Sequence, residues 1–136
     1  TWPSSDPIDP PVTMIDPRRK LTDRDFERLL AFRDGLRRFL HWSDQQAASV
    51  GLTGAQHQLL LAIRGHGGAP SIRDVADHLL LRHHSAVELV DRAEAAGLVR
   101  RVPDATDQRV VRLALTPEGA EKVEALSAAH LENSHA

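Results

Sequence analysis

Two neighbouring stretches of the sequence decide the fold. Residues 71–101 are SIRDVADHLLLRHHSAVELVDRAEAAGLVRR, and residues 103–119 are PDATDQRVVRLALTPEG. The first stretch contains two helical patterns joined by a short turn. Ser71, followed three residues later by an acid, is typical of a helix N-cap, and Gly97 is typical of a C-cap. The apolar positions predicted for the first of these helices are Ile72, Val75, Ala76, Leu79 and Leu80. Beyond Gly97, two short runs rich in Val, Leu and Arg flank the turn-forming PDATDQ, which predicts a β-hairpin.

Helices are also predicted on both sides of this stretch. Thr22 and Thr53 are N-cap candidates upstream, and the helices that they begin carry apolar residues at helical spacing. Downstream, Thr116-Pro117 combines an N-cap with a proline at the first helical position and predicts a last helix to about His130. The element order is therefore α-α-α-α-β-β-α, a mainly helical fold with a small β-hairpin wing: a winged helix-turn-helix.

The chain of 136 residues is long enough for one domain, which we place at residues 21–136. Residues 1–20 are rich in Pro, Asp and Ser and predict a flexible N-terminal arm. No apolar run is long enough to span a membrane, and the N-terminus lacks the pattern of a secretory signal. The absence of cysteine excludes disulfides, thiolate catalysis and Cys-ligated zinc, and we expect a cytoplasmic location.

The net charge of −2 argues at first sight against nucleic-acid binding, because Lys and Arg supply most of the affinity for phosphate. The charges are unevenly distributed, however. Residues 18–112 contain 16 Lys or Arg and 12 Asp or Glu, whereas the segments on either side are acidic. A mildly basic middle between acidic ends permits DNA binding without demanding it.

A winged helix-turn-helix inserts its second helix into the major groove, and the first residues of that helix reach the base edges. The residues at this position have suitable chemistry: Arg82, His83, His84 and Ser85. The wing lies beside the neighbouring backbone or minor groove, where arginine suits the narrow, electronegative cleft. The arginines of the predicted wing are Arg100, Arg101, Arg109 and Arg112.

Several short motifs in this part of the chain resemble those of the MarR (multiple antibiotic resistance regulator) family. They are VDR at residues 90–92, AGLVRR at residues 96–101, Asp107-x-Arg109, and LTPEG at residues 115–119. Each motif is weak when taken alone. Their order and spacing together make the chain similar to this family over roughly residues 21–126.

The resemblance implies a homodimer that is held together by its N- and C-terminal helices, binds a pseudo-palindromic operator in double-stranded DNA and usually represses transcription. It also implies release from DNA by a small, often aromatic, effector. The groove-facing positions carried over from the family are His83, His84, Ser85, Val87 and Glu88, with Arg109 at the wing tip and Asp107 holding the wing. The complete set of predicted DNA-contact residues is Ser71, Arg73, Arg82, His83, His84, Ser85, Glu88, Arg101, Asp107 and Arg109.

Three features depart from the family pattern. Arg82 stands where an Asp or Ser cap is common, so the predicted recognition helix needs a different start. Glu88 stands where a base or Thr is common, and it either accepts a hydrogen bond from a cytosine amino group or weakens binding. The chain ends soon after the last helix begins, which leaves open how much that helix contributes to a dimer.

The effector site is predicted at His41, Trp42 and His57, although a large aromatic at a helix end such as Trp42 often packs on a core instead. No HxxH or HxxxH spacing indicates a metal site, and no cofactor is expected. Ser85 beside His84 lacks the G-x-S-x-G context of a nucleophile, so the chain is not expected to be an enzyme. The alternatives are a winged helix used for protein contacts and a metal-responsive regulator that uses distant histidines.

Overall fold

The computed structural model describes residue 16 and residues 18–134, so most of the predicted N-terminal arm lies outside the described residues. The elements are α1 Asp23–Ser49, α2 Gly54–Gly65, α3 Ile72–Leu79, α4 His83–Ala95, β1 Val99–Pro103, β2 Val111–Leu115 and α5 Pro117–Ser134. This order confirms the predicted fold class, a mainly helical winged helix-turn-helix with an antiparallel hairpin. The chain divides into two compact units, and the boundary between Arg38 and Phe39 falls within α1.

Side-chain caps explain where the first three helices begin. In each helix, the hydroxyl of the cap residue accepts a hydrogen bond from the backbone N–H of the residue three positions later. The side chain of that later residue in turn accepts a hydrogen bond from the backbone N–H of the cap residue. The three pairs are Thr22–Asp25, Thr53–Gln56 and Ser71–Asp74. Because each pair satisfies two backbone N–H groups locally, the sequence alone predicts these starts.

The second unit, which begins at Phe39, is built around α2, and this helix packs against α3, α4, α5 and β2. Its core includes buried apolar side chains from five elements: Leu59, Leu60 and Ile63 of α2, Val75 of α3, Val90 of α4, Leu113 of β2 and Val123 of α5. Burying one Val or Leu side chain contributes about 1.5–3 kcal/mol. This cluster therefore fixes α3, α4 and the hairpin around α2.

The hairpin is also joined to the start of α3. β1 and β2 pair antiparallel along their whole length. In addition, the Leu113 N–H donates to the carbonyl oxygen of Pro70 at 2.8 Å, and Arg112 forms an isolated β-bridge with Ser71. Because Ser71 is the N-cap of α3, this connection sets the position of the wing relative to the helix-turn-helix.

Leu80 is not a core residue, and the prediction that placed it in the apolar stripe of α3 is wrong. Its side chain is 93% exposed, whereas Val75 and Ala76 of the same helix are buried. Leu80 ends α3 in the left-handed conformation, with φ of 55°, and this conformation turns its side chain into solvent. Glycine normally supplies such a helix end, so a leucine gave no sequence signal for it.

Part of α1 in the first unit presents apolar side chains to solvent. These residues, which we call the α1 face, are Phe26, Leu29, Leu30, Phe32 and Leu36, and they are 49% to 66% exposed. They recur at the spacing expected for one side of a helix. An exposed apolar patch of this kind indicates a partner surface.

The last helix is longer than the sequence predicts. α5 extends to Ser134, beyond the predicted end near His130. Residues 131–134 contain neither glycine nor proline, so nothing in the local sequence ends the helix at His130.

Candidate nucleic-acid interface

The turn between α3 and α4 leaves the start of α4 accessible. The Leu81 N–H donates to the carbonyl oxygen of Ala76 at 2.9 Å and closes the turn. Arg82 is the N-cap of α4 in an extended conformation, and it makes no capping hydrogen bond with its side chain within the described part of the chain. The first backbone N–H groups of α4, at the positive end of the helix dipole, therefore favour an anionic partner.

The residues predicted to read the major groove lie on the outer side of α4. The exposed ones are Arg82, His83, His84 and Glu88, and Ser85 is half-buried. The residues buried on the inner side are Ala86, Val90 and Ala93. α4 thus presents its polar side chains to solvent while its small apolar residues anchor it to the core.

A surface cavity of about 370 Å³ brings together residues from three segments. Ser71 and Arg73 reach it from the start of α3, His83 from the start of α4, and Arg109 from the wing. We call this depression the α3–α4–wing cavity. Two arginines, an imidazole and a hydroxyl at one opening are the groups that proteins use to bind phosphate oxygens.

Asp104 organises the turn of the wing. One of its carboxylate oxygens accepts hydrogen bonds from the N–H and hydroxyl of Thr106 and from the N–H of Asp107, at 2.9–3.1 Å. The other accepts from Nε of Arg112 at 2.9 Å. The Arg112 guanidinium, followed by these turn donors, holds the pKa of the Asp104 carboxyl well below its usual range. Sequence reasoning missed this role, although an Asp at the start of a turn is its usual signal.

The wing tip carries the predicted pair of Asp107 and Arg109. Asp107 accepts hydrogen bonds from Nε of Arg109 at 3.2 Å and from the Arg109 N–H at 3.0 Å, and both bonds lower the pKa of the carboxyl. The Arg109 side chain nevertheless stays 90% exposed. Asp107 therefore orients Arg109 without covering it, which suits a wing-tip arginine that enters a minor groove. That role stays a prediction.

Arg101 is engaged within the protein. Its guanidinium binds Asp91 at 2.6 Å and also binds Glu94, and both acids belong to α4. The hydrogen bond to Asp91 is the main reason that the pKa of the guanidinium is raised. Arg101 thus ties β1 to α4, and this geometry favours a structural role over the predicted DNA contact.

A family model described as the MarR family matches residues 50–110, which run from the end of α1 into the wing. The chain is also 31% identical over 74 residues to the HTH-type transcriptional repressor MdtR of Bacillus subtilis (strain 168), covering 54% of this chain and 47% of MdtR. The chain is similar to the MarR family over these residues. It spans about half the length of the curated relatives that it matches, 47% and 55% in two cases.

Solved structures share the fold of this chain. AbsC of Streptomyces coelicolor is 23% identical with a TM-score of 0.72, over 84% of this chain and 78% of AbsC. A MepR variant of Staphylococcus aureus, bound to an oligodeoxyribonucleotide, is 22% identical with a TM-score of 0.65, over 85% of this chain and 81% of MepR. These similarities establish the winged-helix architecture.

A second cavity, of about 710 Å³, is lined by α1, α2 and α5 within the second unit. Ser43, His57 and His130 are polar groups in a lining that is otherwise largely apolar. Nε2 of His130 lies 2.7 Å from the Ser43 hydroxyl oxygen, and its Nδ1 lies 2.6 Å from the carbonyl oxygen of Leu126. With a proton on Nδ1 for the carbonyl, a neutral imidazole accepts the Ser43 hydroxyl at Nε2.

Of the three residues predicted for an effector site, His57 alone is among those that line this cavity. His57 is 5% exposed, and its burial, followed by the proximity of His130, lowers its pKa. Trp42 packs against the ring of His130, with 4.7 Å between ring centroids, and His41 is exposed. Sequence reasoning missed Ser43 and His130 because 87 positions separate them and no local spacing connects them.

No group of three or more His, Cys, Asp or Glu side chains in the described part of the chain is placed to hold a metal ion. No helix there has the length and apolar character needed to cross a membrane.

Proposed function

We propose that this chain is a DNA-binding transcriptional regulator that acts as a homodimer on a pseudo-palindromic operator, with repression as its usual effect. The observation that carries the proposal is the α3–α4–wing cavity, where Ser71, Arg73, His83 and Arg109 converge. The repressor role of MdtR and the DNA-bound MepR variant support it. A regulator of this kind works by binding rather than by catalysis, and it works in the cytoplasm.

The local charges favour DNA over a protein partner for this surface, in spite of the net charge of −2. Arg73, Arg82 and Arg109 are exposed around it. The acids of the wing, Asp104 and Asp107, are each hydrogen-bonded to an arginine of the same hairpin. Their charge is therefore partly neutralised where phosphates would approach.

The proposed partner of the α1 face is a second copy of this chain. Five apolar side chains that are 49% to 66% exposed lose contact with water only when another surface covers them. A two-fold axis also suits the proposed operator, because it repeats the recognition helix roughly 34 Å away, one turn of DNA.

The experiment that tests the function is the selection of bound DNA from a random pool, followed by fluorescence anisotropy on the selected sequence. We expect an inverted repeat with half-sites one helical turn apart and an affinity that falls steeply with salt. A failure to enrich any sequence, together with binding that is indifferent to salt, would instead indicate a winged helix used for protein contacts.

We further propose that the cavity at Ser43 and His57 takes the small aromatic effector. The described lining contains no Lys or Arg, and the lowered pKa of His57 keeps that imidazole neutral, so an uncharged ring should bind better than an anionic one.

Trp42, behind His130, provides the readout for this effector proposal. In a Trp2→Phe background, where Trp42 is the remaining tryptophan, phenol should quench its fluorescence saturably and benzoate should act more weakly. Saturable quenching by benzoate alone would contradict the proposed selectivity, and no response to either probe would contradict the site.

A further inference from the structure

Arg112 joins the wing to the helix-turn-helix with a single side chain. From β2, its Nε donates to Asp104 in the wing turn at 2.9 Å. One terminal nitrogen of the same guanidinium lies 3.4 Å from the carbonyl oxygen of Ala69, just before α3, and 3.7 Å from Asp74 within α3. Three segments that meet at the proposed DNA surface are therefore held by one residue.

We propose that Arg112 is a positioning residue, which places the wing for DNA through these protein contacts and does not itself bind DNA. The inference rests on the proposed function and adds that Arg112 affects DNA binding indirectly, through the position of Arg109. Arg112 holds Asp104, Asp104 holds the N–H of Asp107, and Asp107 holds the side chain of Arg109. The orientation of the wing tip thus depends on a contact at the base of the turn.

The shape of the guanidinium matters more to this role than its charge does. Nε and a terminal nitrogen of Arg112 bind different partners in different segments. A lysine has one ammonium group and no second donor at this spacing, so it cannot hold the Asp104 and Ala69 contacts in the same way. Arg112→Lys therefore separates the contribution of the charge from that of the clamp.

The Asp104→Ala variant distinguishes a positioning role of the Arg112–Asp104 contact from simple electrostatic repulsion between Asp104 and DNA. A carboxylate beside DNA repels phosphate, so charge alone predicts that Asp104→Ala tightens DNA binding. If Asp104 is the anchor of the wing, the same variant should weaken binding, because Arg112 loses its partner and the turn loses an acceptor of three hydrogen bonds. The two views differ in the sign of the effect.

The first test needs no DNA and follows hydrogen exchange at the N–H groups of Thr106 and Asp107, which donate to Asp104. We expect exchange about ten-fold faster in Arg112→Ala and in Arg112→Lys than in the wild type, because opening of the turn becomes easier. Arg109→Ala is the matched control, and it should leave the Thr106 amide near the wild-type rate. Equal exchange in all of these proteins would overturn the proposal.

The second test measures operator binding across salt concentrations. Arg109→Ala should reduce the salt slope by about one unit, as expected for a lost phosphate-region charge. Arg112→Ala, Arg112→Lys and Asp104→Ala should each weaken binding about ten-fold, and Arg112→Ala should keep nearly the wild-type slope. Arg112→Ala and Asp104→Ala together should weaken binding by less than the product of the two single effects, because both variants remove the same contact between Arg112 and Asp104.

Two outcomes of this second test would overturn the positioning role of Arg112. One is wild-type binding by Arg112→Lys together with a slope reduced by one unit in Arg112→Ala. The other is tighter binding by Asp104→Ala. A wild-type protein that shows no salt-dependent DNA binding would remove the proposed function, and the exchange measurement would still decide whether Arg112 holds the wing.

Discussion

Leu80 combines an exposed leucine side chain with a backbone conformation that usually belongs to glycine: its φ is 55° and it is 93% exposed. The left-handed conformation costs an L-residue roughly 1–2 kcal/mol, whereas the freedom that glycine loses on folding costs roughly 0.5–1 kcal/mol. We therefore expect Leu80→Gly to raise the free energy of unfolding by about 0.5–1 kcal/mol. Urea denaturation followed by circular dichroism measures this change.

Leu80→Ala is the control for backbone strain. Alanine removes the exposed side chain but keeps a Cβ atom, so the strained conformation persists and the stability should stay within about 0.5 kcal/mol of the wild type. Equal stabilisation by the alanine and glycine variants would show that exposure of the leucine, rather than the left-handed backbone, is what destabilises this turn.

His57 makes the stability of the fold depend on pH. Its pKa is lowered, first by burial and then by His130, so the folded protein resists protonation of a side chain that the unfolded chain protonates readily. Below the ordinary histidine pKa of about 6.5, the unfolded state therefore binds more protons at this position, and stability falls as pH decreases. The loss ends once the pH has passed below the lowered pKa of the folded state.

His57→Gln, which removes the titrating group, should reduce this pH dependence. The measurement is the free energy of unfolding between pH 7.5 and pH 5, compared for the two proteins, and the wild type should lose more stability. NMR titration of the His57 ring should show the lowered pKa directly. Parallel pH profiles for the two proteins would contradict the assignment.

At the residue scale, sequence reasoning succeeds where the chemistry is local. Asp107 and Arg109 are two positions apart, and their pairing follows from the turn itself. Arg101 gave no such signal, since its ion pairs depend on how β1 packs beside Asp91 on α4. Arg109, which is exposed, and Arg101, which pairs with acids of α4, cannot be distinguished from the sequence, because the difference depends on tertiary packing.

Among the elements, the start of α5 depends on a close approach between backbones at Gly119. A Cβ atom on Gly119 would lie 2.1 Å from the carbonyl oxygen of Leu98. Thr116 holds the two segments together, because its N–H donates to that carbonyl at 3.1 Å and its hydroxyl oxygen accepts from the Gly119 N–H. This explains why the LTPEG motif ends in glycine. We expect Gly119→Ala to lower the free energy of unfolding by about 1–3 kcal/mol.

Gly65→Ala is the matched control, at a helical glycine whose added Cβ would meet no atom within 4 Å. Its stability should stay within about 0.5 kcal/mol of the wild type. Thermal unfolding of both variants under the same conditions makes the comparison. A small effect at Gly119 would mean that α5 can shift away from Leu98 without loss.

The boundaries of the elements could be predicted where a cap marks them. α1, α2 and α3 begin at capping boxes that the sequence displays, and α4 ends next to Gly97, which has φ of 75°. The end of α5 and the left-handed end of α3 at Leu80 could not be predicted, because neither has the glycine or proline that usually marks such an end.

For the whole molecule, the match to the MarR family and the apolar surface fall in different parts of the sequence. The family model covers residues 50–110, from the end of α1 to the wing, whereas the α1 face lies between Phe26 and Leu36. The matched region contains every residue of the proposed DNA surface. The α1 face supplies no DNA contact in this proposal, and its exposed apolar side chains are best explained by assembly.

We expect the wild type to be a dimer at micromolar concentration in sedimentation equilibrium, and a single charge in the α1 face should break it. Phe32 and Leu80 are 66% and 93% exposed, so Phe32→Glu and Leu80→Glu remove little packing from the folded chain. Only Phe32→Glu buries a carboxylate in the proposed interface, so it should raise the dimer dissociation constant at least about ten-fold. Leu80→Glu, outside that face, should sediment like the wild type.

Because a dimer binds two half-sites together, Phe32→Glu should also weaken operator binding. A dimer that persists unchanged in Phe32→Glu would place the interface elsewhere.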